Sequence, residues 1–314
     1  MRLKRRIGAY GCCRDDAGRV LLVRLSEQAL EPGQWALPGG GIEHGEHPAD
    51  AVVREIAEET GLRVEVVGLR RIRADIVTGN GVAIHNDRIL YDVAVRGGTL
   101  RDEFDGTTDR AAWCDAEEIG RLPLLFFVAD LLADAPPPVV REAVARPGRR
   151  RNTPSGSADD GDRPVRGQRF AVYGAVTDPA GRILLTLVAD GYPGAGRWHL
   201  PGGGTDHGEQ PDAAFLREVA EETDQVGRIT GLLGVTHHHN PAAVGPEGHP
   251  IDWHSVATVY RAEIDAPTVL RLTEAAGGST ARAAWFTPAE AADLPLTHIA
   301  AYGLQRLTSG RRME

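Results

Sequence analysis

One 23-residue stretch occurs twice, at 40–62 and 203–225, and the repetition restricts the chain to folds that can be built in duplicate. The first copy reads GGIEHGEHPADAVVREIAEETGL. The likeness extends well outside it. From Tyr10 to Thr60 the two copies align without a gap at an offset of 163, and between Gly33 and Thr60, 18 of 28 positions are identical. Each copy opens with two β-prone runs joined by an Asp/Gly turn: Ile7–Cys13 and Arg19–Val23 around Asp15–Gly18, then Phe170–Val176 and Arg182–Leu185 around Asp178–Gly181. This pattern predicts a hairpin in each. Each copy closes on the same punctuation, Arg110-Ala-Ala-Trp113 and Arg282-Ala-Ala-Trp285, followed by a short helix capped by Asp115 or Thr287. There the offset has grown to 172. The second copy thus carries about nine extra residues, which the composition places between His237 and Pro250.

Within the repeat, Leu37-Pro38-Gly39-Gly40-Gly41 reads as a strand end running into a turn that glycine makes at low cost. Pro48 marks a helix start and the helix runs to Thr60. On it Glu55, Glu58 and Glu59 stand at i, i+3 and i+4, so three carboxylates share one face. Like charges so close destabilise an isolated helix. A solvated acidic face would explain one such run. Two copies at identical spacing, each with a glycine turn, Glu46 or Glu209, and Arg54 or Arg217, point instead to a bound divalent cation. Hard oxygen ligands select Mg²⁺ or Mn²⁺.

The stretch resembles the Nudix box, G-x5-E-x7-R-E-U-x-E-E-x-G-U with U apolar. The first copy meets every specified position; the second ends in Asp224-Gln225 where the pattern has Gly and an apolar residue. The resemblance implies two tandem α/β/α sandwiches with mixed sheets and MutT-like hydrolysis of a nucleoside diphosphate linked to a further group. It implies metal ligation by Gly39, Glu55, Glu58 and Glu59, and by Gly202, Glu218, Glu221 and Glu222. Arg54 and Arg217 would orient the first glutamate of each set, and Glu55 and Glu218 would serve as base. Asp102, Glu103, Glu247 and His254 are alternative bases, since some members draw one from a later loop. Gly61 is expected to end its helix in a left-handed conformation, and Asp224 to do the same at a cost below the ~1–2 kcal/mol of an ordinary residue.

Composition narrows the partners. A net charge of −9 argues against a general nucleic-acid or membrane-surface binder. With 42% apolar residues and 314 positions, the chain can bury two cores. Lys4 is the single lysine, a bias that GC-rich coding explains ahead of selection of Arg for bidentate phosphate contacts. Cys12, Cys13 and Cys114 form neither a disulfide framework nor a paired zinc motif and read as reduced core thiols. No apolar run reaches the ~18 residues of a membrane span, so a cytoplasmic protein is expected. Residues 1–134 and 168–314 read as the two domains. Residues 135–167, rich in Pro, Arg and Gly, read as a flexible linker.

After each box the sequence predicts strands at 69–77 and 88–95, then at 231–236 and 255–264. Trp35 and Trp198, before the glycine turns, read as wall or core ahead of base-stacking platforms, and stand as substrate-binding candidates on the second reading. Trp253 is a candidate for stacking on a base, and Arg70 for a phosphate contact. Trp113 and Trp285 read as core, and His237-His238-His239 as a polar loop. Alternative readings are a sugar or isoprenoid diphosphate substrate, or one catalytic copy beside a ligand-sensing one. The resemblance also implies that the fused copies stand in for a homodimer, packing as a pseudo-dimer.

Overall fold

A computed structural model describes residues 2–79, 81–132, 165–244, 248–273 and 278–309. The chain divides into two compact units, Met1–Pro136 and Pro137–Glu314. Most of the expected linker lies outside the described residues; its last three positions already belong to the first strand of the second unit.

In the first unit the order is β1 (Arg2–Cys13), β2 (Val20–Leu25), β3 (Trp35–Ala36), β4 (Gly39–Gly41), α1 (Pro48–Thr60), β5 (Leu62–Gly79), β6 (Val82–Gly98), β7 (Thr108–Cys114), α2 (Ala116–Ile119) and α3 (Phe126–Leu132). A mixed sheet runs β4-β1-β6-β5 with β1 and β6 parallel, and a smaller antiparallel sheet runs β3-β2-β7. Helix α1 buries Ala51, Val52 and Ile56 and packs against β1, β4 and β5. The opposite face is covered from α3, whose Phe127 and Val128 join Tyr10, Leu22, Trp35, Leu37 and Leu90 in one core cluster.

The second unit repeats this plan: β8 (Val165–Thr177), β9 (Ile183–Val188), β10 (Trp198–His199), β11 (Gly202–Gly204), α4 (Pro211–Thr223), β12 (Arg228–Val244), β13 (Pro250–Glu263), β14 (Thr280–Phe286), α5 (Pro288–Ala292) and α6 (His298–Ser309). Its strands form one mixed sheet with β8 and β13 parallel. Both units are therefore mixed α/β, as expected.

Several local expectations change. The strands after the boxes are longer than their apolar runs. His237-His238-His239 lies within β12 rather than in a loop, because β13 supplies a full ladder of partners to this polar segment. Trp113 and Trp285 are only half-buried at the surface of their strands. The extra residues are split. Ile89 and Thr258 occupy equivalent register positions and are 169 apart, against 163 at the box and 172 at the closing helix. Six of the nine therefore lie in the β12–β13 hairpin and three before β14. The three cysteines are free and buried, and burial pushes the Cys13 thiol up to about 11. Among the described residues no helix is long and apolar enough to cross a membrane.

Candidate active site

The box becomes a strand edge facing a helix. Helix α1 starts at Pro48 behind His47, whose Nδ1 accepts the Ala49 N–H at 3.0 Å, and stops at Gly61 with φ 71°. Helix α4 stops at Asp224 with φ 56°, so the left-handed exit survives without glycine. Gly39 and Gly202 both sit at φ 138°, where a Cβ would lie 2.3 Å from the Ala9 carbonyl oxygen and 2.2 Å from that of Val172. At Gly40 a Cβ would stand 2.5 Å from the Glu55 carboxylate, and at Gly203 2.8 Å from that of Glu218. Missing side chains on the edge strand thus make the space into which the first helix glutamate reaches.

One arginine ties each site together. Arg54 donates from Nε to Glu46 Oε1 (2.9 Å), from Nη2 to Glu46 Oε2 (3.0 Å) and to the Gly41 carbonyl (3.1 Å). Its Nη1 donates to Glu55 (3.0 Å) and Glu58 (3.2 Å). Arg217 repeats all five bonds, to Glu209 (2.7 and 3.0 Å), Gly204 (3.2 Å), Glu218 (3.1 Å) and Glu221 (3.1 Å). This explains the fixed Glu46 and Glu209. They hold the back of a bidentate fork whose front restrains two helix carboxylates. The bonds to Glu46 hold the Arg54 charge more firmly than usual. Burial works against Arg217, yet its carboxylate partners outweigh that and its pKa also rises.

The third helix glutamate is the most enclosed. Glu59 Oε2 accepts the Gly39 N–H at 2.8 Å, and Glu222 Oε2 accepts that of Gly202 at 2.9 Å. Burial pushes Glu59 well above the usual carboxylate range, opposed by that N–H and reinforced by Glu55 and Glu103. Burial also raises Glu55, with Arg54 pulling the other way. An arginine-braced set of carboxylates whose buried members disfavour their own charge matches what a divalent cation needs: hard oxygen donors, preorganised, with negative charge left to neutralise.

The other sequence candidates fall elsewhere. Trp35 and Trp198, candidates for stacking on a base, are 6% and 4% exposed inside the core clusters, in line with the alternative reading of wall or core. Their two-residue strands turn the rings inward, so the substrate reading is corrected. Trp253 covers Gly167 on β8, six residues from Tyr173, the partner of Gly202. At ~3.3 Å per residue that is about 20 Å from the box, too far to stack on a base held there. Arg70 is committed to Asp92 at 2.8 Å. Among the alternative bases, Asp102 accepts the Ala111 N–H, Glu103 binds Thr108, and His254 is fully buried against Gln168 and His237. Glu247 lies outside the described residues.

Other groups beside the box were not singled out by sequence. Arg6 and Arg169, at equivalent positions on β1 and β8, run alongside Gly41 and Gly204, where a Cβ would meet their guanidinium groups at 3.4 and 2.8 Å. Their identical offset was the available signal. In the first unit alone, a buried network joins Arg88 to Asp75 and to the Tyr10 hydroxyl (2.7 Å), with Asn86 also on Asp75 (3.0 Å) and Phe127 over the guanidinium. Its members meet through strand pairing and the docking of α3, so no local pattern announces them. In the second unit, Glu222 gains the Thr280 hydroxyl at 2.5 Å. Gln225, 2% exposed, clamps Thr268 through Nε2 to Oγ1 (2.8 Å) and through Oε1 from its N–H (2.9 Å). The departure from the box at Asp224-Gln225 is thus a pinned exit.

Comparison with known proteins agrees with this geometry. The NUDIX domain family model matches residues 4–135 and 167–307. The chain is 35% identical over 117 residues to the nucleoside triphosphatase NudI of Enterobacter sp. (strain 638), a match spanning 34% of this chain and 80% of that protein. It is 32% identical over 102 residues to a MutT-like protein of Streptomyces ambofaciens, across 32% of this chain and 58% of that one. Among solved structures it is similar to a MutT NUDIX hydrolase from Burkholderia pseudomallei, at 29% identity and a TM-score of 0.35, covering 45% of this chain and 98% of that one. The chain belongs to the Nudix family as a tandem of two Nudix domains, and it is a Nudix pyrophosphohydrolase.

Proposed function

We propose that both units hydrolyse the pyrophosphate bond of a nucleotide-type substrate, a nucleoside triphosphate or a nucleoside diphosphate bearing a further group, with Mg²⁺ or Mn²⁺. The nucleoside triphosphatase name of the Enterobacter relative favours the triphosphate form. Glu55, Glu58, Glu59 and the Gly39 carbonyl would hold the metal in the first unit. Glu218, Glu221, Glu222 and the Gly202 carbonyl would do so in the second. Bound there, the cation would supply a lowered pKa to an attacking water and an offset to charge developing on the phosphates. Glu55 and Glu218 accept the water's proton while Arg54 and Arg217 hold their carboxylates in place. Arg6 and Arg169, just beyond the glycine strand, meet the phosphates that a chain of net charge −9 would otherwise repel.

The observation that carries this reading is the duplicated arginine fork, in which equivalent bonds of the two units agree within 0.2 Å although the surrounding pockets differ. A panel of nucleoside triphosphates, dinucleoside polyphosphates, nucleotide sugars and prenyl diphosphates, incubated with Mg²⁺ and scored for phosphate and pyrophosphate, tests it. Nucleoside monophosphate with pyrophosphate or a phosphorylated leaving group is expected. No release from any compound, or release from prenyl diphosphates alone, contradicts it.

A further inference from the structure

In each unit the segment leading into β7 or β14 is strapped to the exit of the box helix. Arg101 donates its backbone N–H to the Thr60 carbonyl at 2.9 Å; in the second unit Arg271 donates to that of Thr223 at 3.2 Å and Thr273 to that of Glu221 at 2.9 Å. Beyond each strap a threonine opens the strand, Thr108 opposite Leu25 and Thr280 opposite Val188. The threonines are 172 apart, as at the closing helix, and their strand partners 163 apart, as at the box, so the two positions are equivalent. Their hydroxyls nevertheless serve different carboxylates. Thr108 Oγ1 donates to Glu103 Oε2 at 2.7 Å, and the Thr108 N–H meets the same oxygen at 3.1 Å. Thr280 Oγ1 lies instead 2.5 Å from Glu222 Oε1. A carboxylate that binds a cation has no proton to give, so the hydroxyl is the donor. Glu222 is 3% exposed and its Oε2 accepts the Gly202 N–H at 2.9 Å, so a donor stands on each of its oxygens. Glu59 takes the matching bond from Gly39 at 2.8 Å, and among the described residues no second donor reaches it.

We propose that Thr280 is a positioning residue of the second unit's metal centre: its hydroxyl, with the Gly202 N–H, clamps both oxygens of Glu222 and so presents a preformed ligand to the divalent cation. A free glutamate side chain loses rotamer freedom when it ligates a metal, and here the fold has removed that freedom beforehand. The hydroxyl also stabilises the negative charge on Glu222, which lets a third carboxylate stand on the helix beside Glu218 and Glu221 before a cation arrives. Thr280 acts through Glu222 alone. Its strap is fastened further back by the two bonds between Gln225 and Thr268, so the departure from the box pattern at Gln225 and the contact on Glu222 belong to one device. The equivalent threonine of the first unit is spent on Glu103, and the two units hold their third glutamate by different means.

The proposal rests on the reading of Glu222 as a metal ligand, so its test reads cation binding with no substrate present. In the full chain with the first unit silenced by Glu55→Gln and Glu58→Gln, Mn²⁺ is titrated and the free ion followed by electron paramagnetic resonance. The same chain with Glu218→Gln and Glu221→Gln added is the blank. Loss of a hydrogen bond that supports a metal ligand costs about 10–100-fold in affinity. Thr280→Val, which keeps the shape and removes the hydroxyl, is expected to raise the Mn²⁺ Kd by at least about tenfold, and Thr280→Ala to do the same. Thr280→Ser keeps the hydroxyl and should stay within about threefold of the parent. Thermal unfolding in EDTA separates this role from a merely structural one. A lower Tm in EDTA with the parental Kd, or Thr280→Ser no better than Thr280→Val, overturns the role of Thr280 and leaves the ligand reading standing. A parent chain that binds no more Mn²⁺ than the blank overturns the ligand reading and the proposal with it.

Discussion

Replacing Gln225 by Leu moves the second box toward its family pattern, yet the structure predicts that it loosens the unit. Gln225 sits 2% exposed at the exit of α4 and makes two bonds to Thr268, at 2.8 and 2.9 Å, besides donating to the Asp224 carbonyl at 3.0 Å. Leu would gain about 1.5 kcal/mol from burying an apolar side chain. Against this, the bonds of Gln225 to Thr268, Asp224 and Thr223 are lost at ~0.5–1.5 kcal/mol each. Thr268 itself is exposed and recovers part of its loss through water. The net is about 1–1.5 kcal/mol against closure of the segment 265–273, or roughly a tenfold rise in local opening. Hydrogen exchange by mass spectrometry on the full chain reads this directly: peptides spanning 265–273 should exchange roughly tenfold faster in Gln225→Leu, while those of the first unit stay unchanged. Thr268→Val should show a smaller effect, and the double variant less than the sum of the two. Equal or slower exchange in Gln225→Leu would refute the view that this polar exit is a clamp.

Gly39→Ala places a Cβ against the Ala9 carbonyl at a φ that disfavours side chains, and should cost about 3–5 kcal/mol by thermal unfolding and abolish first-unit turnover. Gly18→Ala, at φ 78° in open space, should cost only about 1 kcal/mol. Arg88→Leu leaves Asp75 buried without its partner and should destabilise the first unit by about 3–5 kcal/mol, with Asp75→Leu on top recovering part of the loss. For His199 the folded pKa of about 4 lies below the ordinary 6.5, so the unfolded chain binds the proton more readily. Its contribution is full above pH 6.5 and is lost as pH falls toward 4, at most ~3 kcal/mol. Stability of wild type relative to His199→Gln should fall over that window, and parallel profiles would contradict burial of a neutral imidazole there.

How far the sequence reaches depends on how local each interaction is. The helix, its left-handed exits and the shared carboxylate face follow from spacing within one segment, and they form as the pattern requires. The arginine fork was legible in part: Arg54 and its glutamate neighbours stand on one helix, while the use of Glu46 depends on how the loop folds back. Arg6, Arg169 and Tyr173 meet the box glycines through the antiparallel β1–β4 and β8–β11 pairings, and the Arg88–Asp75 network spans β5, β6 and β1, long-range pairings that no short pattern encodes. The tryptophans went the other way. A two-residue strand gives no alternation from which to read a face, so Trp35 and Trp198 turn out buried, while Trp113 and Trp285 remain half-exposed.

The central claim is that the two sets of box glutamates carry a metal-dependent pyrophosphate hydrolysis. Its most direct test is the rate of Mg²⁺-dependent nucleoside monophosphate formation by the full chain, by Glu55→Gln, by Glu218→Gln and by the double variant. The account predicts partial loss in each single variant, with different KM values for the residual activities, and loss of at least a hundredfold, roughly 2.7 kcal/mol or more, in the double. Undiminished turnover by the double variant, or by the wild-type chain with all divalent metal chelated, would contradict it.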